Sequence, residues 1–145
     1  MGDGFRIRPT DVRAGSRFVK PTTVDDSVHV SFNFKNLTQK TDKFKYSDQR
    51  VNYFIKLLQR LVDVCKMPKH DLILRNANGL RCHPIDFVRD NVSERTFGLG
   101  QDIDDDAWQF QISSNQHGRV HGYFVTNVFY IVWLDPMHEL YPGEL

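Results

Sequence analysis

From Val51 to Cys65 the apolar residues fall at Val51, Phe54, Ile55, Leu58, Leu61, Val62 and Cys65. They recur with the period of one helix face, about 3.6 residues per turn. Asn52, Lys56, Gln59, Arg60, Asp63 and Lys66 occupy the other side. This spacing predicts an amphipathic helix that must cover a sheet or a second helix. Ser47 is placed to cap its N-terminus, and Asp48 suits the positive end of its dipole. Pro68 closes it and, as a residue that fits a first helical position, opens a short second helix through Leu74.

The surface to be covered is a sheet. Ser27 to Leu37 alternates: Val28, Val30, Phe32 and Phe34 point one way, His29, Ser31, Asn33 and Lys35 the other. That is the pattern of a half-buried strand. Asn36 to Lys45 reads as a polar loop. After the helical region, Asn76 to Gly79 reads as a turn, and His83-Pro84 opens a further helical turn through Arg89. Asn91 to Asp106 is irregular. Three strands close the chain: Trp108 to Ser113, Arg119 to Thr126 and Val128 to Leu134, joined by turns at Asn115 to Gly118 and Thr126-Asn127. The last is apolar on both faces, as a central strand is. Asp135-Pro136 breaks it.

The expected fold class is therefore α+β: one strand, an amphipathic helix with short helices, then a three-stranded antiparallel meander. The helices pack on one sheet face and the other face stays partly open. If the first strand pairs parallel to a later one, the helical connection supplies the crossover. A chain of 145 residues holds one core of this kind. Residues 28–145 are expected to form it, and residues 1–27 a basic N-terminal arm. That arm carries Arg6, Arg8, Arg13, Arg17 and Lys20, the candidate nucleic-acid-binding residues.

Net charge is +1, which excludes a uniformly basic nucleic-acid binder. The charge is nevertheless uneven: residues 1–60 hold twelve Lys and Arg against six Asp and Glu, and the remainder seven against twelve. Cys65 and Cys82 are too few for a disulfide scaffold. Cys65 reads as a small hydrophobe, and Cys82 beside His83 lacks the second pair that a zinc site needs. No metal or cofactor is expected; the Asp102 to Asp106 run reads as a solvated loop before a cation site. The opening residues lack the apolar core of a secretory signal, and the longest apolar stretch, Tyr123 to Leu134, is too short to span a bilayer. A cytoplasmic location with no membrane partner follows as the expectation.

Phosphate-binding glycine loops, HExxH and GxSxG are absent from the sequence. The meander offers another set. Arg119, His121, Tyr123 and Val125 share a strand face, His117 stands at the preceding turn, and His138, Glu139 and Tyr141 follow the last strand. Metal-free RNA cleavage needs a base for the ribose 2′-hydroxyl, a cation for the transition-state charge and an acid for the leaving oxygen. The same residues read equally as strand-face and core positions. WQFQISSNQHGRVHGYFVTNVFYIVWLDPMHELYP, with Trp108, Arg119, His138 and Tyr141 in comparable places, resembles the C-terminal meander of the RelE/ParE-like toxin superfamily. In its ribonuclease branch, which cleaves ribosome-bound mRNA, the resemblance implies Arg119 as phosphate clamp, His138 as acid or base and Tyr141 as stacking or proton-transfer group. His121 or His117 would assist. It also implies RNA and a cognate inhibitor protein as partners. The alternative is a non-catalytic protein-interaction domain, an accessory or inhibitor of a phage, mobile element or defence system. Phe129, Tyr130, Trp133 and Trp108, with the arm, would then serve the interface.

Overall fold

The computed structural model describes residues 28–75, 80–114 and 116–143. The basic arm and the turn expected at Asn76 to Gly79 lie outside them. The strands are β1 (Ser31–Asn33), β2 (His83–Pro84), β3 (Ala107–Ser113), β4 (Gln116–Val125) and β5 (Val128–Asp135). They form one five-stranded sheet in the order β1-β5-β4-β3-β2. β1 runs parallel to β5, with Ser31 opposite Val128, and every other pairing is antiparallel. The fold is α+β, and β5 is an interior strand between β1 and β4, as its apolar faces predict.

The crossover between β1 and the rest of the sheet is the helix α1 (Val51–Cys65), followed by a π-helical turn at Asp71–Arg75. That turn begins beyond Pro68, whose carbonyl accepts from the Asp71 and Leu72 amides. A five-residue helix, α2 (Gln101–Asp105), lies in the segment expected to be irregular.

Four local expectations are corrected. α1 starts after Arg50 with no side-chain cap, so Ser47 and Asp48 precede it; the Tyr46 and Ser47 amides bond the Gln39 side chain instead. His83-Pro84 is strand, not helix, pairing with Gln109 and Trp108. Pro84 fits there because β2 is the sheet edge, where a missing N–H is tolerated. The pairing of β4 begins at Gln116 rather than Arg119, with His117 (φ 66°) and Gly118 (φ 73°) left-handed beside a register shift at Gln111/Ser113. The fourth concerns burial. The second sheet face is not partly open but covered by a core of its own.

The first core lies between α1 and the sheet. Tyr53, Leu57, Leu61 and Val64 of α1 meet Phe110, Ile112, Val120, Phe124, Phe129, Ile131 and Leu134. The second lies under loops: Phe44, Ile85, Phe87, Val92, Phe97, Leu140 and Tyr141 pack on Ala107, Tyr123, Val132 and Trp133. Val132 and Trp133, though consecutive, both face this side. The register shift between His121 and Gly122 places one extra β5 residue there, so alternation is broken at that point.

The buried sector of α1 also differs from expectation. Tyr53, Leu57, Arg60, Leu61 and Val64 are buried. Val51, Ile55, Leu58 and Val62 stay 73%, 46%, 60% and 52% exposed. The apolar arc is wider than one sheet contact, and the sheet takes the edge that Tyr53 and Val64 define. Arg60, expected on the polar side, is buried and donates from Nε to the Ile112 carbonyl at 2.7 Å.

Candidate functional site

Alternation along β4 and the β5 bulge gather the expected site residues on the loop-covered face. His121 and Asp135 are 0% and 1% exposed, and His121 Nε2 donates to Asp135 Oδ2 at 2.9 Å. Asp135 also accepts the amides of Glu139 (2.7 Å) and Leu140 (2.9 Å). Burial works to raise the Asp135 carboxyl, but these donors together hold it below its ordinary value. Burial lowers the basicity of His121, and the Asp135 bond only partly offsets this. The pair is thus a neutral imidazole donating to a carboxylate. Its Nδ1 has no hydrogen-bond partner among the described residues, which fits a ring with a bare lone pair there. Trp133 and Phe44 wall the ring, at 6.2 Å and 6.0 Å between centroids.

Arg119 is 5% exposed, and Nη1 donates to Gln111 Oε1 at 3.2 Å across β3. His138 follows β5 in a left-handed conformation (φ 60°), half-buried, with both ring nitrogens covered. Tyr141 stands apart from this group. Its hydroxyl donates to Asp90 Oδ2 at 2.7 Å, and its ring meets His83 at 6.0 Å. Arg119, His121 and His138 therefore share one buried layer, while Tyr141 belongs to a neighbouring cleft. Glu139, beside His138, accepts the Phe44 amide. His117 meets the Ser113 hydroxyl at 2.9 Å and lies near Asn52 of α1.

That cleft, about 680 Å³, is lined by His83, Pro84, Asp90, Asn91, Tyr141, Pro142 and Gly143. Its titratable side chains are already engaged. His83 bonds the Pro84 carbonyl through Nδ1 (3.0 Å) and Gln109 Nε2 through Nε2 (2.7 Å). Asp90 holds both Tyr141 and the Asp86 amide. The acidic run is also engaged at two positions: Asp104 accepts from the Thr96 hydroxyl and the Phe97 amide, and Asp105 from the Gln101 side chain. Among the described residues no group of three or more His, Cys, Asp or Glu is arranged to hold a metal ion. No helix among them is long and apolar enough to cross a membrane.

The aromatic residues expected at an interface divide differently. Phe129 and Trp133 are core, each 1% exposed, while Trp108 and Tyr130 are half-buried. Tyr130 stacks on Tyr123 at 4.9 Å, and the Tyr123 hydroxyl accepts from Asn36. A contiguous row of exposed apolar side chains lies instead on α1. Sequence reasoning had these residues on the right element but assigned them to the core. The excess of apolar residues over what one sheet contact needs was the available signal.

Comparison with known proteins finds no match among curated proteins and none among solved structures. Residues 28–145 match the family described as "Uncharacterised protein UU032", and the chain belongs to that family.

Proposed function

We propose that the domain is a non-catalytic protein-interaction module that docks partners on the outer face of α1. The observation that carries this reading is the row Val51, Ile55, Leu58 and Val62, about half to three-quarters exposed. Exposed apolar side chains scattered singly need no explanation, but a contiguous row on one rigid helix marks a recognition surface. The burial of Arg119 and His121 adds support. A phosphate clamp and a proton-transfer group must reach the ribose-phosphate backbone, and here both are engaged with Gln111 and Asp135 beneath loops. Their contacts serve the packing of β4 against its neighbours.

A photo-reactive amino acid at position 58 tests the docking face in cells expressing the full chain. A discrete cross-linked product is expected from position 58 and not from position 56, which lies on the polar side. Equal products from both positions, or none from either, would remove the proposal.

A further inference from the structure

The apolar row on α1 has a spacing of its own. Val51, Ile55, Leu58, Val62 and Cys65 are separated by four, three, four and three residues. That is the a/d seam of a heptad repeat, with Ile55 and Val62 at a and Val51, Leu58 and Cys65 at d. All five are exposed. We infer that this seam pairs with the same seam of a second copy of the chain, side by side and parallel, giving a two-fold homodimer. The inference rests on the reading of α1 as the docking face and names its partner.

Two observations favour a second copy. The first is residue type: β-branched Ile55 and Val62 at a, with Leu58 at the middle of the three d layers, follow the pattern that favours two parallel strands. The second is symmetry. In a parallel pair each layer sets a residue against itself, Ile55 on Ile55 and Leu58 on Leu58, so the contact closes at two copies. The seam carries no charge to repel its twin; Lys56 and Asp63 lie round the helix toward the polar side.

Area sets the strength of the pairing. Side chains exposed to these fractions present about 400 Å² of apolar surface per copy, the size of the largest patch on a typical monomer. Doubled, this is about 800 Å², below the roughly 1,200 Å² at which standard interfaces begin. The dimer is therefore expected to be weak and in exchange with monomer. Two heptads alone would not pair as free peptides, because the helices would first have to form. Here the sheet already holds α1 folded, so that ordering cost falls outside the association.

Cys65 makes the register testable. In the parallel pair its two copies face each other at a d layer, whereas in an antiparallel pair Cys65 meets Val51. Cys82 is 4% exposed and out of reach. With diamide as oxidant, two Cys65 thiols give one disulfide, and the two protons and two electrons pass to the diamide. The full chain is expected to yield a covalent dimer that Cys65→Ser abolishes and Cys82→Ser retains. Without oxidant, sedimentation between about 1 and 100 μM should show monomer and dimer in exchange. Leu58→Glu should weaken the dimer by more than about tenfold, and so should Leu58→Lys. A mixture of the two should regain it, since opposite charges then meet; this recovery shows that both variants are folded.

A strict monomer, a dimer indifferent to Leu58→Glu, or a dimer without the Cys65 cross-link would each overturn the inference. The two readings fail separately. If the purified chain is monomeric but position 58 still cross-links to another protein in cells, only self-pairing is lost. If position 58 gives no product, both are lost.

Discussion

Gly122 lies at a close approach of β4 and β5. A Cβ placed there would stand 2.1 Å from the Tyr130 carbonyl oxygen and within 3 Å of the Phe129 ring. Gly118 is tighter still against Asp135, and its φ of 73° disfavours any side chain. Gly122→Ala must push the two strands apart, and its expected cost is above about 4 kcal/mol, read by denaturant unfolding. The pair one residue away, His121 and Asp135, has a subtler signature. The folded His121 takes up a proton only below its ordinary 6.5, whereas the unfolded chain takes it up near that value. Stability is therefore full above about pH 6.5 and falls as pH drops below it, at up to about 1.4 kcal/mol per pH unit. The low Asp135 value adds a second loss, through its folded value, at more acidic pH. His121→Gln keeps a donor toward Asp135 and removes the titration. Its melting temperature is expected to vary less than that of the wild type between about pH 7.5 and pH 5.5. An unchanged profile would show that His121 is not the group responsible. Alternation along β4 was enough to place Arg119 and His121 on one face. Their burial was not legible, because the cover comes from loops whose contacts are remote in sequence, such as Phe44 on Trp133.

At the scale of elements, α1 was legible in its existence and its C-terminal end, since its period is strong and Pro68 stops it. The sector that meets the sheet was not. An apolar arc running from Tyr53 round to Ile55 has no internal mark of which side the sheet will take, and tertiary packing decides. Two adjacent leucines test the outcome. Leu57→Ala removes a side chain 5% exposed and is expected to cost about 2–5 kcal/mol. Leu58→Ala, at 60% exposure, is expected to stay within about 0.5 kcal/mol at concentrations where the chain is monomeric. Reversed values in thermal unfolding would mean that the helix is rotated. β2 escaped sequence reading for a different reason. It is two residues long and contains a proline, so pattern had nothing to act on, and only the edge position beside β3 makes it a strand.

For the molecule as a whole, the sheet divides two unlike interiors. The α1 side is almost wholly apolar, whereas the loop side buries Gln109, Gln111, Arg119, His121 and Asp135 among its aromatics. Asp135 ties this second interior together: it ends β5, meets His121 and holds the amides of the returning chain at Glu139 and Leu140. The returning chain in turn holds two loops, through Phe44 to Glu139 and through Ser93 to the carbonyls of Glu139 and Leu140. Asp135→Asn removes the charge that these donors share. The expected loss is about 3 kcal/mol, with amide exchange accelerated at 139 and 140 before the α1 side responds. Uniform exchange across both sides would show that the layers open together. The sheet order also sets a sequence of events in time. β5 is interior, parallel to β1 and antiparallel to β4, yet it is the last of these five strands to be synthesised. As the chain emerges from a ribosome, α1 and β1 are complete long before the strand that joins them to the sheet exists. For that interval the whole apolar arc of α1 faces solvent, open to chaperones and to other nascent chains.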